Sequence, residues 1–125
     1  MIFNRAIVAV AFLVAASTSL ADGVMKGDAA AGEALVASCT ACHGADGNSL
    51  APTFPKLAGL GERYLLKQMK DIRDGRRPVA LMAGQVDNMT DQQLADIAAF
   101  YDGQTRTSGT TDPELLALGR KVYLA

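Results

Sequence analysis

The chain has a single histidine and only two cysteines. That scarcity removes whole classes of site. A structural zinc centre needs four Cys and His ligands, and three such side chains cannot supply them. Basic clusters are missing too: Arg76-Arg77 is only a pair in a chain of formal net charge −1, so nucleic acid is not an expected partner. Strand-like alternation is nearly absent, which takes away the βαβ setting of a thioredoxin-like dithiol. Beyond the first residues, no apolar run is long enough to span a bilayer.

The N-terminal run is apolar but short. Arg5 precedes AIVAVAFLVAA, a polar STS and the small-residue ending Ser19-Leu20-Ala21, the pattern of a secretory signal with removal expected after Ala21. Ala6 to Ala16 falls well below the roughly 20 apolar residues that a membrane anchor needs. Residues 22–103 then have the length of one small domain with a modest core. Export places the two cysteines in an oxidising compartment, where an unprotected pair would tend to form a disulfide.

Helical spacing dominates the rest, so the expected class is all-α. Asp28 can cap a first helix running to about Cys39. After a long loop broken by Gly47, Pro52 and Pro55, a second helix is expected from about Glu62 to Asp74, with Leu65, Leu66, Met69 and Ile72 on one face. Another irregular stretch, 76–88, leads to the clearest helix. Thr90 and Gln93 form a capping box there, followed by Leu94, Ile97, Ala98 and Tyr101 at i, i+3, i+4 and i+7. Gly103 ends that helix. Residues 104–112, QTRTSGTTD, read as a flexible linker, and 113–125 as a helical tail. Short helices and two long loops offer little core, so something is expected to fill the middle.

The stretch SCTACHGADGNS supplies a candidate. Cys39-Thr40-Ala41-Cys42-His43 matches C-x-x-C-H, the attachment sequence of a c-type haem. Two thiols three residues apart on one helical turn can form thioethers to the two vinyl groups of one porphyrin, and the adjacent imidazole can ligate the iron. Attachment would also keep both thiols out of a disulfide. Zinc, a redox dithiol and a plain Cys39–Cys42 disulfide are the competing readings, and none of them accounts for both the histidine and the thin core.

With no second histidine, the other side of the iron falls to methionine or stays open. Met25 lies close to His43 in sequence, Met69 sits in an apolar helix face, and Met89 precedes the Thr90 cap as one half of a hydrophobic staple with Leu94. Met82, in the loop VALMAGQVD, has no such packing explanation. It is the expected sixth ligand, with Met89 as fallback.

CxACHGADGNS, APTFPKLAGLGERYLLKQM, the loop methionine and MTDQQLADIAAFY together resemble a class I c-type cytochrome, most like one haem domain of the periplasmic di-haem type called c-four. The resemblance spans roughly Lys26 to Tyr101. It implies three to five short helices around one covalent haem c, with Cys39 and Cys42 as attachments and His43 and Met82 as axial ligands. It also implies that the Pro55 carbonyl accepts from the His43 ring, fixing the imidazole and raising its basicity. Gly32 would let the first helix approach Phe100 of the last, and Tyr64, Lys67, Arg76 and Arg77 are either propionate partners or plain surface. The stretch TDPELLALGRKVYLA resembles the opening of a second haem domain. A fragment or truncated product of a di-haem protein is the expectation, ahead of a mono-haem relative whose last helix serves another purpose; with no second domain to pack on, the tail is expected to be mobile or a dimer contact.

A haem ligated on both sides has no open position for a substrate, so a single-electron carrier is expected rather than an enzyme. The resemblance implies a periplasmic respiratory role between a membrane quinol-oxidising complex and a terminal oxidase, through weak transient docking. Two other classes remain: a cytochrome subunit accepting electrons from a dehydrogenase, and a haem sensor or peroxidase-like protein with a displaceable sixth ligand.

Overall fold

Among the described residues there are five α-helices and one 3-10 turn: α1 Ala29–Leu35, α2 Ala37–His43, α3 Glu62–Arg73, the 3-10 turn Ala80–Met82, α4 Asp91–Asp102 and α5 Pro113–Tyr123. The structure is a computed structural model and describes residues 25–124. The expected export signal and its cleavage point after Ala21 lie outside the described residues. No strand occurs among the described residues, and the all-α class read from the sequence is the one that forms.

Local signals set most helix ends. The Asp28 carboxylate accepts from the Ala30 and Ala31 N–H groups at the start of α1. At α4 the Thr90 hydroxyl accepts from Gln93 N–H at 3.2 Å while the Gln93 side chain accepts from Thr90 N–H at 2.9 Å. The expected first helix, in contrast, is two. It breaks at Val36, whose backbone leaves helical geometry at φ −84°, ψ 3°. No glycine or proline announces this break. Val36 is buried in the core, and tertiary packing of its β-branched side chain overrides local helix continuity.

The core sits where α1 and α3 pack on α4, the α1–α4 pair being the more extensive. Its largest fully buried side chains are Tyr101, Leu94 and Ile97, each worth roughly 2 kcal/mol of burial. The crossing of α1 and α4 depends on Gly32: a Cβ there would lie 2.0 Å from the Asp96 carbonyl oxygen and 2.9 Å from Phe100 Cβ. The nearest obstacle is therefore backbone, with Phe100 behind it. The buried Asp96 carboxylate fastens the same crossing, accepting from Asp28 N–H and from the Gln92 side chain, both at 2.8 Å. Both bonds fall on Oδ1, and such hydrogen bonds offset the cost of burying the carboxylate.

The stretch 104–107 is tied to the domain. Asn48 and Lys56 hold Thr105 and Thr107 by hydrogen bonds, so the flexible composition of the expected linker does not describe its first residues. From Ser108 onward every described residue is exposed, including the whole of α5 with Leu115, Leu116, Leu118 and Val122.

Candidate functional site

Helix α2 carries Cys39, Cys42 and His43 on little more than one turn. Residues three and four apart share a helix face, so Cys39, Cys42 and His43 project to one side. Both thiols are free, Cys39 half-buried against the core and Cys42 exposed. Burial first of all pushes the Cys39 thiol above its usual range. Beside it lies Tyr101, whose buried hydroxyl has no hydrogen-bond partner among the described residues. Each group perturbs the other, but their geometry falls short of a hydrogen bond. Burial and then the Cys39 thiol raise the Tyr101 phenol far above its ordinary value.

His43 is 7% exposed, and its Nδ1 lies 2.9 Å from the Pro55 carbonyl oxygen. A carbonyl only accepts, so Nδ1 carries the proton and Nε2 keeps its lone pair. The ring also meets Phe54 edge-on at 6.3 Å between centroids. Gly44, at φ +82°, stops α2 directly after the histidine and turns the chain into the loop that brings Pro55 back. That loop is stitched by the Leu57 and Ala58 N–H groups, both donating to the Gly47 carbonyl at 2.7 and 3.2 Å.

Met82 ends the 3-10 turn on the loop between α3 and α4, half-buried. The other candidates are engaged elsewhere: Met69 and Met89 pack against the core, and the Met89 carbonyl accepts from Arg73 at 3.0 Å. Lys67 and Arg76 both pair with Asp71, and Arg77 donates to the Gln68 side chain at 2.8 Å. These bonds account for three of the four residues considered for propionates without any ligand. Tyr64 is exposed.

The donor set fits a covalent haem. Two unpaired thiols at the attachment spacing stand next to an imidazole with a free nitrogen, while Leu50 and Leu81 leave exposed apolar surface of the kind a porphyrin face covers. Asn48, Asp96 and the Arg73–Asp91 pair were invisible to sequence reasoning, because each acts through partners distant along the chain. The only local hint was the Gly47-Asn48 turn pair.

Comparison with known proteins gives a match to the family model "Cytochrome c" over residues 29–102. Cytochrome c4 of Pseudomonas aeruginosa is 61% identical over 97 residues, covering 78% of this chain and 48% of that protein. Cytochrome c-554(548) of Halomonas halodenitrificans is 47% identical over 81 residues, 62% of this chain and 98% of its own length. Among solved structures, reduced recombinant cytochrome c4 from Pseudomonas stutzeri aligns with a TM-score of 0.75 at 51% identity, over 78% of this chain and 56% of that one. The chain thus spans about half the length of the cytochrome c4 relatives it matches. The match runs from the first residue of α1 to the last of α4 and contains one C-x-x-C-H, and the chain belongs to the cytochrome c family, which binds haem c covalently.

Proposed function

We propose that this protein is a periplasmic carrier of single electrons, with residues 22–103 as its haem domain, 1–21 as an export signal and the tail after the linker as the opening of a further unit. The observation that carries the reading is the α2 cluster, where free Cys39 and Cys42 stand beside a His43 whose Nδ1 is committed to Pro55. Haem c, when bound, supplies reversible one-electron chemistry at its iron. Cys39 and Cys42 would hold it through thioethers. His43 offers Nε2 as one axial ligand, and the Pro55 carbonyl keeps that ring oriented and more basic. Met82 offers its thioether as the other axial ligand, supported by the packing roles that occupy Met69 and Met89. With His43 and Met82 both committed to the iron, no position would be left for a substrate. Among the described residues no helix is long and apolar enough to cross a membrane, in keeping with a carrier that docks transiently on redox partners. A membrane quinol-oxidising complex as donor and a terminal oxidase as acceptor complete the proposal.

The test is a pair of variants in the haem-loaded protein. Met82→Ala is expected to abolish the low-spin methionine-ligated spectrum and open the iron to carbon monoxide, while Met89→Ala lowers stability and leaves the spectrum intact. The reverse pattern would move the ligand to Met89. Rapid carbon monoxide binding by the unmodified protein at neutral pH would favour a sensor or peroxidase-like role instead.

A further inference from the structure

The stretch entering the tail is fastened to the loop that follows His43, and Asn48 is the fastener. It is 7% exposed. Its amide uses all of its hydrogen-bonding capacity. Nδ2 donates to Asp46 Oδ2 at 2.8 Å and to the Thr105 carbonyl at 2.9 Å, while Oδ1 accepts from the Thr107 N–H at 2.8 Å and the Thr107 hydroxyl at 3.0 Å. Thr107 in turn receives Lys56 Nζ, on its hydroxyl at 2.6 Å and on its carbonyl at 2.9 Å.

Lys56 directly follows Pro55, and the peptide joining them carries the oxygen that accepts from His43. On its other side, Leu57 N–H is held by the carbonyl of Gly47, the residue preceding Asn48. The Pro55–Lys56 peptide is therefore gripped through Thr107 and through Gly47, and Asn48 joins the two grips.

We propose that Asn48 is a positioning residue for the axial histidine: by clamping Thr105 and Thr107 over the loop it fixes the Pro55 carbonyl against His43 Nδ1. The inference rests on the reading of His43 as an iron ligand. It also makes residues 104–107 part of the haem pocket, so that movement of anything attached beyond them reaches the histidine. Without the Asn48 amide, Thr107 loses its anchor, Lys56 follows, and the Pro55 oxygen accepts a longer, weaker hydrogen bond. A less basic imidazole stabilises the oxidised iron less, and the reduction potential rises.

The test compares Asn48→Ala and Lys56→Met with the unmodified haem-loaded full chain, reading the reduction potential and the solvent exchange of the His43 Nδ1 proton by NMR. Asn48→Ala is expected to raise the potential and speed that exchange several-fold, and Lys56→Met to move both the same way by less. Lower thermal stability with potential and exchange unchanged would overturn the proposal and leave Asn48 as a simple staple. Where Asn48→Ala does not fold, Lys56→Met decides, because its side chain is an exposed link rather than a buried one. An unmodified protein without histidine–methionine low-spin absorption would sink the proposed function itself, whereas normal absorption with unmoved variants would sink this inference alone.

Discussion

The loop after His43 and the loop bearing Met82 are of similar length and are held by different forces. The histidine loop is stitched by Asn48, the Gly47 carbonyl and the Gly59 N–H, which donates to the Tyr101 carbonyl at 2.9 Å. The methionine loop is gathered at its ends by charges near solvent. Arg73 reaches Asp91 at 2.7 Å and the Met89 carbonyl, Lys70 reaches Asp91 at 2.5 Å, and Arg76 spans Asp71 and Asp74. The Asn48 amide is itself buried, so losing its partners strands polar groups away from water, whereas ion pairs that keep partial contact with solvent are individually weak and screened by salt. With Met82 as the proposed second ligand, the histidine side of the site is the more firmly held, and the methionine side is the first expected to open.

Paired glycine substitutions test this most severely. Both Gly47 and Gly84 have left-handed backbones, at φ +75° and +80°. A Cβ on Gly47 would also lie 2.7 Å from Tyr101 Cδ1 and 2.8 Å from the Ala58 nitrogen, while one on Gly84 meets nothing within 4 Å. Gly47→Ala is expected to cost about 3 kcal/mol or more in denaturant unfolding, from strain plus clash. Gly84→Ala should cost only about 1 kcal/mol of backbone strain. Equal losses would break the contrast.

Next in size is the loosening of the methionine loop. In Arg73→Ala, imidazole is expected to displace the proposed ligand Met82 at lower concentration, while exchange of the His43 Nδ1 proton stays as in the unmodified protein. Added salt should shift the imidazole titration of the unmodified protein in the same direction.

Acid probes the same clamp. The hydrogen bond from Lys70, and then that from Arg73, hold the Asp91 carboxyl below its usual range. A lowered folded-state value means the stabilisation is complete above the ordinary aspartate pKa of about 3.9 and is lost as pH falls through the folded-state value. The proposed Met82 ligation should therefore weaken below about pH 4 in an optical titration, and Asp91→Asn should blunt that acid step.

The smallest effect belongs to the tail. Removing residues 109–125 is expected to change stability by no more than about 0.5 kcal/mol, since the described part of that segment is wholly exposed. Starting the deletion at Thr105 should cost distinctly more, because it strips Asn48 of three hydrogen bonds.

What could be read from the sequence was decided by neighbours within a turn or two. Asp28 as a cap, the Thr90–Gln93 box, the apolar faces of α3 and α4 and the C-x-x-C-H spacing all rest on contacts three to seven residues apart, where sequence separation is nearly spatial separation. The packing of Met69 and Met89 was legible for the same reason, since their places in and next to a helix announce it, and Met82 stays the proposed ligand. The break at Val36, the approach of α1 to the Asp96 backbone, the Arg73–Asp91 clamp and the Asn48 belt were decided only by tertiary structure. Asn48 and Thr107 stand 59 residues apart, and a turn asparagine and a polar linker threonine look alike whether they meet or not. Their hydrogen bonds exist because α4 returns the chain beside the histidine loop, a placement that no local spacing encodes.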